Sequence, residues 1–158
     1  MTTLLERHQQ ASKYLPKVGS LIGGDLSTEG TGGIYHHINP ATGQVQAEIP
    51  LSNASAVDAA VAAARAAAPG WRDTPGTRRR EILEKLAELI RQDGDNLARL
   101  STLENGVTMG FGATRFVSMA VEWTRYYAGW ADKLDGLVVD TARDEPLVYT
   151  IAEPFGVV

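Results

Sequence analysis

The chain has 158 residues, 44% of them hydrophobic and 22% charged, with a formal net charge of −4 and no cysteine. That length permits one domain with a sizeable core. The composition excludes disulfides, thiolate metal sites and a cysteine nucleophile, and gives no electrostatic reason to expect nucleic acid or an anionic membrane as partner. No apolar run is long enough to span a bilayer and Met1 to His8 lack a signal-peptide pattern, so the expectation is a cytoplasmic protein.

Residues 1–19 read as a loosely docked N-terminal segment. Ser20-Leu21-Ile22 predicts a short strand that runs into the glycine-rich stretch 23–33. No Gly-Lys-Ser/Thr and no helix N-terminus follow, so that stretch reads as a hairpin loop and not a phosphate cradle. Ile34 to Ile38 reads as the returning strand, stopped at Asn39-Pro40; after the Ala41-Thr42-Gly43 turn, Gln44 to Ile49 alternates as a half-exposed strand up to Pro50. His36 and His37 fall on opposite faces of their strand and read as surface residues, not a chelating pair.

Ser55, with Asp58 three residues on, has the spacing of a capping box and opens an Ala-rich helix that Pro69-Gly70 ends; Trp71 then anchors the connecting loop. Thr74 as N-cap and Pro75 at the first helical position start a second helix, with Ile82, Leu83, Leu86, Leu89 and Ile90 as its buried stripe and Glu81–Lys85 as a surface ion pair. Arg78-Arg79-Arg80, followed by acidic residues, reads as a solvated face. Gly94 separates a third helix, Asp95 to Asn105, with Leu97, Leu100 and Leu103 inward and Gly106 as the stop. Gly110-Phe111-Gly112 lacks the third glycine and the preceding strand of a dinucleotide fingerprint, and reads as a loose link.

The longest helical pattern follows. Phe116, Met119/Ala120, Trp123, Tyr126/Tyr127, Trp130 and Leu134 recur at three and four residues, and Gly136 stands where a C′ glycine would end the helix. This aromatic stripe is expected to be the spine on which earlier segments pack. Leu137-Val138-Val139 and Leu147 to Ile151 read as strands flanking a charged turn, 141–146, and Val157-Val158 as the start of a buried strand. The residues themselves contain no complete catalytic set and no metal-ligand spacing. They define a mainly helical α+β chain with β-hairpins and an unfinished C-terminus.

Several blocks go further. Ile38-Asn39-Pro40-Ala41-Thr42-Gly43, Trp71-Arg72, Leu86-Ala87-Glu88-Leu89-Ile90, Glu104-Asn105-Gly106, the run from Arg125 to Lys133 and the run from Tyr149 to Val158 come in an order and spacing that resembles the amino-terminal third of an NAD(P)-dependent aldehyde dehydrogenase. The resemblance implies an α/β family fold and oxidation of an aldehyde to a carboxylic acid with NAD or NADP. It also implies that the cysteine nucleophile, general-base glutamate and most cofactor contacts lie beyond Val158, so that no catalytic or cofactor-binding residue is expected here and this chain alone is inactive. It divides the chain into the segment 1–19, a helical part 20–135, oligomerisation-type strands 136–152, and 153–158 as the start of a strand from a missing domain. It places Met119 at a substrate-contacting position of the aldehyde entrance, with Phe116, Ala120 and Trp123 beside it, and Glu104 at a position that holds a monovalent cation in some members. The partners implied are the aldehyde and either a second copy or the missing C-terminal portion. The alternative reading is a non-catalytic module that docks onto a full-length or complementary chain, and a non-functional product is a third.

Overall fold

The computed structural model describes residues 2–140 and 147–158. In chain order these residues form α1 (Leu4–Ser12), β1 (Ser20–Ile22), β2 (Asp25–Ser27), β3 (Gly33–Ile38), β4 (Val45–Leu51), α2 (Ala54–Arg72), α3 (Gly76–Gln92), α4 (Gly94–Asn105), a π-helical turn (Met109–Ala113), α5 (Thr114–Trp130), β5 (Val138–Val139) and β6 (Val148–Tyr149). The strands make three antiparallel ribbons, β1–β2, β3–β4 and β5–β6. The core lies in the helices, chiefly where α3 packs along α5 with α4 across both.

Within the first segment, Leu4–Ser12 form a helix with no buried side chain. Thr3 and Glu6 form a reciprocal capping box that satisfies two of its free N–H groups. The glycine-rich stretch also holds a strand. Gly23 and Gly24 have φ of 62° and 99°, the two-residue turn that folds β2 back on β1. Ile34 to Ile38 therefore returns not to β1 but to β4, with Ile34 opposite Pro50 and His36 opposite Glu48. The two histidines diverge as expected: His36 is exposed, His37 half-buried.

Three helix boundaries differ from the sequence reading. Asn53, not Ser55, caps α2, accepting from the Ala56 amide at 3.0 Å. Pro69 sits inside α2, which continues to Arg72 and takes Trp71 into its last turn. Thr74 does not cap α3; its hydroxyl donates to the Gly70 carbonyl at 2.8 Å and closes α2, leaving Pro75 as the α3 N-cap. Further on, Glu81 pairs with Arg78 (2.7 Å) and not Lys85.

On α3 the inward row is Arg80, Leu83, Ala87 and Ile90, with Ala87 buried and the other three half-buried, while Ile82, Leu86 and Leu89 stay exposed. The expected stripe thus splits between two faces. The small Ala87 side chain decides which one meets α5, because it lets the helix axes come close. α4 matches the expectation: Leu97 and Leu100 are half-buried, Leu103 is buried, and Gly106 takes φ 72° as the left-handed cap. Gly110 and Gly112 form a helical turn continuous with α5, not a loose link.

The long helix ends at Trp130, well short of Gly136. Gly136 instead lies against the Thr150 carbonyl, and a Cβ there would collide with it. β5 and β6 pair at Val138–Tyr149 and Val139–Val148, within the two predicted strands. The predicted charged turn 141–146 lies outside the described residues. Val157 and Val158 belong to no strand and are exposed in the 158-residue chain.

Candidate functional site

The helix α5 has two unlike sides. Val117, Val121, Thr124 and Ala128 face α3 and α4, and Val121 and Ala128 are buried. The opposite side carries the large side chains, open to solvent: Phe116 is 52% exposed, Met119 40% and Trp123 55%. Ala120 shares that exposure. The four entrance candidates therefore do stand together on one face, at spacings of three and four. They are not the core expected of the stripe. Toward the C-terminus the face continues as an aromatic ladder. Trp123 stacks on Tyr127 with centroids 5.9 Å apart, Tyr127 meets Tyr126 edge-on at 5.3 Å, and Tyr126 meets Trp130 at 6.4 Å. Such edge and offset contacts hold ring positions without burying them.

Two polar structures brace α5 and the elements around it. At its C-terminal end Arg79 and Arg80 leave the solvated face predicted for them and turn in. Arg79 Nη1 donates to the Thr74 carbonyl at 2.6 Å and Nη2 to the Ala131 carbonyl at 3.4 Å, while Arg80 pairs with Asp132. A hydrogen bond from Lys133, assisted by the charge of Arg80, holds the Asp132 carboxyl below the usual range. At the C-terminal end of α3, Arg91 and Gln92 donate to the Glu88 carboxylate at 2.6 to 2.9 Å and hold its pKa at about 2.

The second structure is a buried amide relay. Asn39 is 2% exposed and takes its carboxamide oxygen to the Ala41 amide at 2.9 Å. Its Nδ2 donates to Gln46 Oε1 at 2.8 Å and toward His8 Nδ1 at 3.2 Å. Gln46 Nε2 donates in turn to the Leu103 carbonyl at 2.7 Å and lies 2.9 Å from His37 Nδ1. The β3–β4 turn is thereby fastened to α1 and to the end of α4, where Gly106 approaches Pro40. Sequence reasoning took Asn39 for turn punctuation. The only local signal was an Asn in turn context; Gln46, His8 and Leu103 are too distant in sequence to signal the relay.

Comparison with known proteins sets this arrangement in context. A model of the aldehyde dehydrogenase family matches residues 27–158. The chain belongs to the aldehyde dehydrogenase family. It is 35% identical over 158 residues to an aldehyde dehydrogenase of Alternaria alternata, covering 99% of this chain and 32% of that protein. It is 39% identical over 123 residues to the mitochondrial aldehyde dehydrogenase of Homo sapiens, covering 76% of this chain and 24% of that one. Among solved structures it is similar to succinate-semialdehyde dehydrogenase from Burkholderia pseudomallei, with a TM-score of 0.83 and 25% identity over 91% of this chain and 30% of that chain. The chain thus spans a third or less of the length of these relatives.

The nicotinamide cofactor that the family implies does not fit the glycines present. A pyrophosphate cradle needs free amides at a helix N-terminus. Here the Gly112 and Ala113 amides both donate to the Thr108 carbonyl, at 3.0 and 3.1 Å, and Val107 fills the space beside Gly112. In the other glycine-rich stretch the Gly32 and Gly33 amides donate to Leu51 and Gly30 carbonyls, and β3 follows, not a helix. Glu104 is exposed at the end of α4. Among the described residues no three His, Asp or Glu side chains come together as a metal site, and no helix is long and apolar enough to cross a membrane.

Proposed function

We propose that this chain is the N-terminal portion of an NAD(P)-dependent aldehyde dehydrogenase, in which the open face of α5 lines the path of the aldehyde. The observation that supports this is the grouping of Phe116, Met119, Ala120 and Trp123 on one uncovered apolar face, in a chain whose residues 27–158 match the family. An apolar wall of this kind binds and orients the non-reacting part of an aldehyde and keeps water from it. The wall does no chemistry. Attack of a thiolate on an aldehyde carbon needs a cysteine, and this chain has none. Its contribution is shape, with the nucleophile, base and cofactor contacts supplied by the remainder of the protein. Glu104 as a cation ligand, and β5 and β6 as strands covered by a second copy, belong to the same proposal.

Purified alone, the chain is expected to give no aldehyde-dependent NADH; turnover that survives removal of host dehydrogenases overturns this. In a complete enzyme containing it, Met119→Ala is expected to raise KM for the aldehyde with little change in kcat, and an unchanged KM removes Met119 from the path. A second reading, a non-catalytic module that docks on a complementary dehydrogenase chain, draws on the exposed Val138, Leu147 and Ile151. Sedimentation of a mixture with such a chain at micromolar concentration tests it, and no complex counts against it.

A further inference from the structure

A helix leaves its last carbonyls without partners, and the usual remedy is a left-handed glycine. α5 ends without one. The Ala131 amide donates to the Ala128 carbonyl at 3.2 Å, Lys133 Nζ to Gly129 at 2.7 Å, and the Lys133 amide to Trp130 at 3.0 Å. The Ala131 carbonyl receives Arg79 Nη2 from α3. The same guanidinium reaches the Thr74 carbonyl and, at 3.4 Å, the carbonyl of Arg72, the last residue of α2. One cation therefore sits between the C-terminal ends of two helices, where each macrodipole is negative. Only a planar fork spans both; an ammonium is a single point. Gly76 keeps the gap narrow, since a Cβ there would stand 2.6 Å from the Ala131 carbonyl. Arg80 closes the other side on Asp132.

We infer that Arg79 and Arg80 are positioning residues, which stop α5 at Trp130, aim residues 131–137 toward β5, and so keep Trp130 in register with Tyr126. The clasp bears on aldehyde access only through the function proposed for α5, and in that respect it rests on that reading. The clasp itself is separable, because the aromatic ladder reports on it in the chain alone.

The experiment is near-ultraviolet circular dichroism of the 158-residue chain, with far-ultraviolet spectra and thermal melts beside it. Arg79→Met and Gly76→Ala are both expected to lose much of the aromatic band while keeping the helical signal. Arg79→Lys, which keeps the charge but not the fork, is expected to recover only part of it. Leu97→Ala, on α4 away from the clasp, is expected to lower the melting midpoint and leave the band intact. An unchanged band in Arg79→Met overturns the inference. So does an equal loss in Leu97→Ala, since the band would then follow stability alone. Should Arg79→Met fail to fold, Arg79→Lys decides: a native band and a native midpoint would show that the fork positions nothing. None of these results depends on turnover, so the inference and the proposed function fail separately.

Discussion

The two sides of α5 are seventeen residues of one helix with opposite fates. The inner side is made of Val117, Val121, Thr124 and Ala128, modest in apolar area yet half-buried or buried; the outer side holds two Trp, two Tyr, Phe116 and Met119, and is open. Apolar area alone does not choose the packed side. Close-packed helices gain from many short contacts, and small residues on facing sides let the backbones approach. The rings on the other side are left to one another. A wide apolar face beside a tightly packed one is what a surface awaiting an occupant looks like.

The largest effect should appear in the buried row of α4. Leu103 is 2% exposed, and Leu103→Ala is expected to cost about 2–5 kcal/mol in urea unfolding through the lost contacts and residual cavity. Overfilling the inner side comes next. Ala128→Leu is expected to cost about 1–3 kcal/mol, because the α3–α5 gap has no room for the added carbons. A neutral result would erase the distinction between the two sides.

The edge of the seam gives a pH test. The Glu88 value of about 2 lies below its ordinary 4.5. Its contacts with Arg91 and Gln92 therefore stabilise the fold above the ordinary value, and that contribution is lost as pH falls from 4.5 toward 2. Asp132 shifts in the same direction and adds the same sign. Melting midpoints measured across that window should fall less steeply for Glu88→Gln than for the parent. The smallest effect belongs to the outer side: Trp123→Ser is expected to change stability by no more than about 0.5 kcal/mol, as for other surface substitutions, while lowering binding of an apolar dye. A large loss of stability would mean that the ladder supports the fold.

The candidate site was legible in part. Spacings of three and four placed Phe116, Met119, Ala120 and Trp123 on one face, and the structure keeps them there. Periodicity could not say whether that face was covered, because it describes one helix and burial requires two. The relay of Asn39, Gln46, His8 and Leu103 was invisible for a related reason: its members lie 7, 31 and 57 residues apart in pairs, and no local pattern links them.

By itself the sequence determined the elements whose causes are local. The helical periods of α3, α4 and α5 and the left-handed stop at Gly106 all follow from neighbouring residues. Tertiary structure decided what depends on a partner. It chose the Arg80–Leu83–Ala87–Ile90 row of α3 over Ile82, Leu86 and Leu89, since only that row lets the backbones close up. It ended α5 at Trp130 and not near Gly136, since Arg79 satisfies the Ala131 carbonyl from another helix. Local propensity proposes where a helix runs; the groups that meet its sides and its ends settle which face is buried and where it stops.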